Sequence, residues 1–260
     1  MTKRTPLIAG NWKMNLDHLQ AIALVQKLCW TLSDADHDYK SAEVAVFPPF
    51  TDLRSVQTLI EAEKFEVALG AQDISKHDSG AFTGEISGAF LSKLACKYVL
   101  IGHSERRQYH AEGDEVVQAK VAAAWKHGLV PIICVGETLE ELESQGQSAV
   151  PVAQTIAALS GHETLGEFVI AYEPVWAIGT GKVATPQEAE DVSKAIRKAI
   201  TENFGAESGQ SRILYGGSVK ANNVAGFLAS GEVDGVLVGG ASLDAEEFAG
   251  IARFQKHIVL

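Results

Sequence analysis

Two titratable side chains that could move a proton follow apolar runs of the sequence. Glu173 comes directly after FVIAY (168–172), and Pro174 fixes the backbone beyond it. A carboxylate among apolar and aromatic neighbours is expected to be desolvated, which raises its pKa and makes it a better general base. His103 comes directly after YVLIG (98–102), where the first turn of a predicted helix disfavours the imidazolium ion.

A base beside a neutral histidine suits proton transfer next to a carbonyl group, because a neutral imidazole can donate its N–H to the carbonyl oxygen. The alternatives are a structural ion pair for Glu173 and local backbone contacts for His103. The glycine-containing segment that follows Glu173 favours the catalytic hypothesis, since it fits a lid that excludes water.

A lysine and an asparagine beyond the first apolar run suit an anionic ligand. The segment GNWKMN (10–15) contains Asn11 and Lys13. Lys13 could bind an anion and Asn11 could contact a substrate oxygen. Lys13 could instead extend into solvent, and Asn11 could serve only in a turn.

The segment GTGK (179–182) resembles the end of a nucleotide-binding loop, but its surroundings exclude that motif. The motif needs a glycine, four residues and then Gly-Lys-Ser/Thr. Trp176 stands at the first glycine position and Val183 at the hydroxyl position. A nucleoside triphosphate is therefore not the expected ligand.

Three glycine-rich segments predict a different phosphate site. They are residues 179–181, 216–218 and 239–240. Glycines after the last two strands of an α/β barrel, at a helix N-terminus, commonly bind phosphate through backbone N–H groups. The helix that would supply this N-terminus is predicted at 241–248. Each segment alone is a common turn, but the three together favour a bound phosphate.

Eight short runs rich in apolar and β-branched residues recur along the chain. Most are continuously apolar, which is typical of parallel strands buried on both faces. They are PLIAG (6–10), EVAVF (43–47), VALGA (67–71), YVLIG (98–102), VPIIC (130–134), FVIAY (168–172), RILYG (212–216) and GVLVG (235–239). Polar, titratable or glycine residues follow nearly every run, and in an α/β barrel the active site lies at these carboxyl ends.

Helical patterns lie between the runs. Thr185 and Glu188 form a capping box with Pro186 at the first helical position, and apolar residues recur every four positions to Phe204. A second pattern covers 115–125. Alternating strands and helices leave an open doubly wound sheet or a closed (β/α)8 barrel, and eight units at about 250 residues favour closure. No linker divides the chain, so we predict an α/β fold with one barrel domain, residues 1–260.

Composition limits the class of protein. The chain has 260 residues, of which 46% are hydrophobic and 21% charged, values typical of a globular enzyme. No apolar run approaches the ~20 residues of a membrane span, and MTKRTPLIAG (1–10) lacks the pattern of a signal peptide. A net charge of −11 disfavours nucleic acid and anionic membranes as partners.

The three cysteines indicate a reducing, cytoplasmic setting. Cys29, Cys96 and Cys134 form no CxxC pair and are odd in number, which argues against disulfides and structural zinc. Cys134 ends the fifth run and is expected to be buried near the site. It lacks an adjacent base, so a nucleophilic role is not predicted.

Five of these segments together resemble triosephosphate isomerases over nearly the whole chain. The matching stretches are GNWKMN (10–15), GHSERR (102–107), AYEPVWAIGTGK (171–182), YGGS (215–218) and VGGA (238–241). The resemblance implies an isomerase of glycolysis and gluconeogenesis that interconverts dihydroxyacetone phosphate and glyceraldehyde 3-phosphate through an enediolate. It implies the barrel that this family gives its name to, and no metal or organic cofactor. This family is the standard example of a carboxylate base working with a neutral histidine.

The resemblance also implies a role for each matching residue. Glu173 is the base, and His103 polarises the carbonyl and moves protons between the two oxygens. The other implied roles are oxyanion stabilisation by Lys13 and Asn11, support from Glu105 (paired with Lys13), Ser104 and Cys134, and phosphate binding by Gly179, Ser218, Gly239 and Gly240.

Family members are dimers, so the resemblance implies a homodimer. The segment at 72–85 resembles the loop that enters the neighbouring subunit, with Thr83 and Gly84 near its tip. The sequence departs from the family pattern at Val183, where a threonine is common. By the resemblance, this position belongs to the far hinge of the lid, so the kinetics of lid opening could differ from those of the family.

The alternatives are other barrel proteins that bind a phosphosugar, either catalytic or sensory. A Schiff-base aldolase needs a lysine inside the barrel, and none of the eight runs contains one. A sensory protein is expected to have lost Glu173 or His103, and both are present.

Overall fold

A closed barrel of eight parallel strands forms the centre of the protein. The structure is a computed structural model that describes residues 4–177, 183–229 and 231–257. Within those residues each strand pairs with its neighbours in chain order, and the last strand pairs with the first. The strands are β1 (Leu7–Asn11), β2 (Glu43–Phe47), β3 (Ala68–Ala71), β4 (Tyr98–Ile101), β5 (Val130–Val135), β6 (Val169–Tyr172), β7 (Arg212–Tyr215) and β8 (Gly235–Val238). The predicted closed (β/α)8 barrel is confirmed, and each predicted run matches a strand to within one residue at either end.

Helices surround the barrel. In the described residues they are α1 (His18–Asp34), α2 (Leu53–Glu63), α3 (Gly88–Lys93), α4 (Ser104–His110), α5 (Asp114–Lys126), α6 (Leu139–Gln145), α7 (Ala149–Leu159), α8 (Pro186–Phe204), α9 (Val224–Leu228) and α10 (Ala245–Ala252). The predicted capping box of α8 is present, with Thr185 and Glu188 bonded to each other's backbone N–H. None of these helices is long and apolar enough to cross a bilayer.

The segment after β8 differs from the prediction. A continuous helix was expected at 241–248, but a 3₁₀ turn (Gly240–Leu243) comes first and α10 begins at Ala245. Asp244 separates the two in an extended conformation, and its side chain caps α10 by accepting the backbone N–H of Glu247. The backbone N–H groups nearest β8 therefore belong to the 3₁₀ turn.

Two apolar layers follow from the alternation of side chains along the strands. One layer fills the barrel and the other lies between the strands and the helices. In β1 Leu7 and Ala9 point inward, and in β6 Val169 and Ala171 do so. Two residues further on, the same alternation directs Asn11 and Glu173 to the carboxyl-terminal mouth of the barrel.

A polar cluster closes the opposite, amino-terminal end of the barrel. Glu43, Tyr98 and Arg212 begin strands β2, β4 and β7. The Tyr98 hydroxyl donates to Glu43 Oε1 at 2.9 Å, and Arg212 donates to the Tyr98 hydroxyl at 2.7 Å and to Glu43 Oε2 at 2.8 Å. These bonds satisfy polar groups that would otherwise be buried without partners.

A buried ionic cluster joins α5 to α4 and to the loop after β3. Lys120, of which 4% is exposed, donates through Nζ to Asp73 at 2.7 Å and to Glu112 at 2.6 Å. Arg106 contacts the same two carboxylates, at 2.9 Å and 2.7 Å. The two cations balance the two buried carboxylates, which is the condition under which buried charges are tolerated.

Candidate active site

The carboxyl-terminal mouth holds a cavity of about 280 Å³. The structure brings together there seven of the residues singled out from the sequence: Asn11, Lys13, His103, Glu173, Ser218, Gly239 and Gly240. Gly179 lies outside the described residues. Lys220 also lines this cavity. It was not anticipated, although it stands only two positions beyond Ser218.

Glu173 and His103 are in direct contact. Oε1 of Glu173 lies 2.9 Å from Nε2 of His103, and Oε2 accepts the backbone N–H of Ser104 at 3.0 Å. The Glu173 side chain is almost fully buried, at 2% exposure. Both oxygens of the carboxylate are thus occupied by groups of the protein.

These contacts reverse the pKa expected for Glu173. Burial raises the pKa of this carboxyl, but His103, the Ser104 N–H and Lys13 lower it further, and the net direction is downward. The expectation of a raised pKa is therefore wrong for this arrangement. The sequence shows the apolar neighbours of Glu173 but not the donors that the fold brings to its oxygens.

The first turn of α4 orients the His103 ring. The Glu105 N–H donates to Nδ1 at 3.2 Å, which requires a lone pair on Nδ1, so a ring proton is on Nε2 and points at Glu173. Burial lowers the pKa of His103, whereas the Glu173 carboxylate raises it by more, and the net direction is upward. This direction is opposite to the one expected from the helix N-terminus alone, because the sequence does not show the contact with Glu173.

Lys13 has a strained backbone. Its φ is +54°, in the left-handed region that costs a residue with a β-carbon roughly 1–3 kcal/mol. The Lys13 N–H donates to Asn11 Oδ1 at 2.9 Å, and Nζ lies 2.5 Å from Glu105 Oε1. Asn11 and Glu105 therefore hold the two ends of this residue.

The glycine segments after β7 and β8 also line the cavity. Gly239 precedes and Gly240 begins the 3₁₀ turn after β8, and the Ser242 hydroxyl donates to the Gly239 carbonyl at 2.6 Å. A β-carbon at Gly216 would lie 2.9 Å from Cγ of Glu173, and one at Gly217 would lie 2.1 Å from the Tyr215 hydroxyl. Glycine is therefore required at 216 and 217 by contacts within the protein.

A tight backbone contact lies beside Glu173. A β-carbon at Gly136 would lie 1.7 Å from the Glu173 carbonyl oxygen. Next to Gly136, Glu137 Oε1 accepts the Tyr172 hydroxyl and the Trp176 indole N–H, both at 2.8 Å. Both residues belong to the polar and glycine residues that the sequence places after the fifth run, but no role was predicted for either of them.

Three other predicted residues do not line this cavity. Cys134 is fully buried inside the barrel, as expected, and burial, together with the nearby Glu173 carboxylate, raises the pKa of its thiol well above the ordinary value. Thr83 and Gly84 are exposed on the loop after β3. In the described part of the chain no group of three or more His, Cys, Asp or Glu residues could hold a metal ion.

Comparison with known proteins gives a consistent result. The sequence model of the triosephosphate isomerase family matches residues 6–255. A triosephosphate isomerase of Leifsonia xyli subsp. xyli is 63% identical, with 99% of this chain and 100% of that protein covered, and one of Streptomyces avermitilis is 58% identical, with 98% and 99% covered. The crystal structure of triosephosphate isomerase from Bartonella henselae matches with a TM-score of 0.86 at 36% identity, covering 97% of this chain and 99% of that one.

Proposed function

Since this chain belongs to the triosephosphate isomerase family, we propose that the cavity described above interconverts dihydroxyacetone phosphate and glyceraldehyde 3-phosphate, with Glu173 as the base. The chain is an isomerase of triose phosphates, an activity that belongs to glycolysis. The assignment of roles to its residues is the proposal. The observation that carries it is the 2.9 Å contact of Glu173 with His103 in one cavity with Lys13.

Glu173 takes a proton from C1 of dihydroxyacetone phosphate and returns it to C2. The enediolate between these steps has its negative charge on the former carbonyl oxygen. Because both oxygens of Glu173 are occupied, the carboxylate must first exchange the His103 or Ser104 contact for the substrate C–H. Exchange of the His103 contact also frees the Nε2–H to donate to a substrate oxygen.

Neutral His103 and cationic Lys13 stabilise the enediolate. The Nε2–H of His103 donates to the carbonyl oxygen, and the ring then carries protons between O2 and O1. Lys13 supplies the positive charge opposite the developing oxyanion, with Asn11 beside it. Fixed charges and dipoles of this kind stabilise a transition state without reorganisation, and proton transfer needs no cofactor.

Backbone N–H groups at Ser218, Gly239 and Gly240 bind the phosphate dianion in this proposal. They line the same cavity as Glu173, next to glycine-containing turns. Gly179 is proposed as a fourth contact from the lid, although it lies outside the described residues. A phosphate bound by these groups holds C1 and C2 of the substrate next to Glu173.

A homodimer in the cytoplasm is the proposed working form. The exposed loop at 76–85 carries Phe82, which is 41% exposed, and Met14 beside the active site is 95% exposed. A groove of about 540 Å³ lies next to Met14, lined among others by Phe50 and Tyr109. An apolar loop tip and a groove with apolar walls on one molecule suit reciprocal insertion about a two-fold axis.

A deuterium exchange experiment tests the reaction. The protein is incubated with dihydroxyacetone phosphate in D2O and followed by NMR. Glyceraldehyde 3-phosphate is expected to form with deuterium at C2, and dihydroxyacetone phosphate is expected to gain deuterium at C1. Absence of both products would overturn the proposal.

A further inference from the structure

The strained backbone of Lys13 needs support from outside its own turn. Its φ of +54° favours glycine, yet a glycine would remove the ammonium group that the site requires. A free chain would relax to an ordinary conformation, which would redirect the side chain. The surrounding structure must therefore hold this peptide.

One side chain from another strand bonds the carbonyl of this residue. Gln72 follows β3, is half-buried, and donates through Nε2 to the Lys13 carbonyl at 2.7 Å. The same Nε2 donates to the Phe47 carbonyl, at the end of β2, at 2.9 Å. A single amide group thus joins the carboxyl ends of β2 and β3 to the turn after β1.

The Lys13 backbone is held on both sides. Asn11 accepts its N–H at 2.9 Å, and Gln72 binds its carbonyl. Asn11 lies two positions away in the same turn and could move with it. Gln72 is anchored on a different strand, so it fixes the orientation of the turn relative to the barrel.

We propose that Gln72 is a positioning residue that acts through the Lys13 backbone to aim the ammonium group at the substrate. The inference rests on the proposed role of Lys13. Loss of the amide donor leaves two carbonyl oxygens without a partner from residue 72 and lets the strained peptide rotate. A displacement of about 1 Å at a reacting group can cost around 100-fold in rate.

A double-mutant cycle tests this coupling. Gln72→Leu removes the donor at similar volume and is expected to lower kcat/KM by about 10- to 100-fold. Lys13→Met is expected to lower kcat/KM by more. In the Lys13→Met background, Gln72→Leu should change kcat/KM less than about 2-fold, because residues that act as a unit are not additive.

A matched control separates positioning from loss of a buried glutamine. Gln57 is even less exposed than Gln72, but its amide donates within α2, to Glu61 at 2.6 Å. Gln57→Leu should leave kcat/KM unchanged. All variants are compared at protein concentrations where sedimentation velocity gives the same oligomeric state as the parent.

A second variant keeps the test valid if Gln72→Leu does not fold. Gln72→Glu keeps the shape but, when ionised, places a carboxylate against two carbonyl oxygens. Its kcat/KM relative to the parent should be lowest near pH 8 and recover as the pH falls to about 5.5, because the protonated carboxyl can again donate one hydrogen bond.

The outcomes are distinct. The positioning role would be overturned if Gln72→Glu and the parent had equal kcat/KM at pH 8. It would also be overturned if Gln72→Leu lowered kcat/KM by the same factor in the parent and in the Lys13→Met background. Either result would leave Lys13 as a catalytic residue. Full activity of Lys13→Met would overturn both the proposed role of Lys13 and this inference. The inference is supported if Gln72→Leu lowers kcat/KM in the parent but not in the Lys13→Met background.

Discussion

Nε2 of His103 and Oε1 of Glu173 are 2.9 Å apart, so the proposed base and the proposed electrophile are hydrogen-bonded to each other. A substrate that uses both groups must separate them. His103 then replaces one hydrogen bond by another, whereas Glu173 gives up a hydrogen bond for a contact with a substrate C–H. We therefore expect the activity to change when either side chain is replaced or when the backbone next to Glu173 is displaced.

Replacement of the base should separate binding from turnover. Glu173→Gln keeps the size of the side chain but removes proton transfer, so kcat should fall by about 10²- to 10⁴-fold. Inhibition by inorganic phosphate should stay within a few-fold of the parent, since the phosphate contacts are backbone N–H groups. Glu63→Gln, on the exposed side of α2, is the control. Activity near the parent value in Glu173→Gln would mean that another group is the base.

The titration of Glu173 should report its contacts. Its pKa is lowered, so the ionised form contributes stability above the carboxyl pKa of the unfolded chain, ~4.3, and loses it as the pH falls through the folded pKa. The Glu173 carboxyl signal, followed by carbon-13 NMR, should therefore titrate below ~4.3 in the parent. In His103→Asn the burial of Glu173 remains while its largest lowering influence is lost, so the titration should move to higher pH. His110→Asn, exposed at the end of α4, should leave it in place, and an unmoved titration in His103→Asn would contradict the coupling.

A methyl group beside the base should displace it. In Gly136→Ala the β-carbon would lie 1.7 Å from the Glu173 carbonyl oxygen, so one backbone segment must move. We expect a loss of about 1–3 kcal/mol in the free energy of unfolding and a fall in kcat that exceeds what reduced folding explains. Gly113→Ala, with no atom within 4 Å of the new carbon, should change neither. Urea unfolding and kinetics on the same samples decide the matter.

Removal of the buried lysine should destabilise the barrel. Lys120→Met leaves Asp73 and Glu112 with Arg106 as the remaining partner, and loss of one member of a buried ion cluster costs about 3–5 kcal/mol. Lys198→Met removes an exposed lysine whose pair with Glu202 is 3.8 Å apart, and should change the free energy of unfolding by less than about 0.5 kcal/mol. Similar urea midpoints for the two variants would show that the cluster is not stabilising.

A charge on the proposed dimer surface should produce monomers. Met14→Glu and Phe82→Glu each place a carboxylate in the expected interface, and sedimentation velocity should show a halved mass at micromolar concentration. Trp30→Glu removes an exposed aromatic (58%) from the last turns of α1 and should leave the mass unchanged. Unchanged mass in both interface variants would place the contact elsewhere.

The sequence was sufficient for the barrel because its signals are local. Each strand is a continuous apolar run, and the start of α8 follows from Thr185, Pro186 and Glu188 alone. The residues at the strand ends could be gathered into one site because parallel strands end at the same edge. The roles assigned to those residues remain predictions until variants are measured.

What the sequence could not give depends on contacts between distant segments. The pKa direction of Glu173 is set by donors at positions 103 and 104, about seventy residues away in the chain. The positive φ of Lys13 and the Gln72 bond to its carbonyl leave no local signal either. Apolar patterns report burial, but hydrogen-bond partners inside a buried site are decided by the packing of the whole barrel.

The Glu43–Tyr98–Arg212 cluster marks the end of the barrel that lies away from the active site. Apolar side chains fill the barrel between this end and the carboxyl-terminal mouth, roughly 15 Å away along the strands, so substrate and product use the mouth alone. A support or fusion partner attached beside the cluster would leave diffusion to the active site unobstructed, which makes that face suitable for immobilising the enzyme.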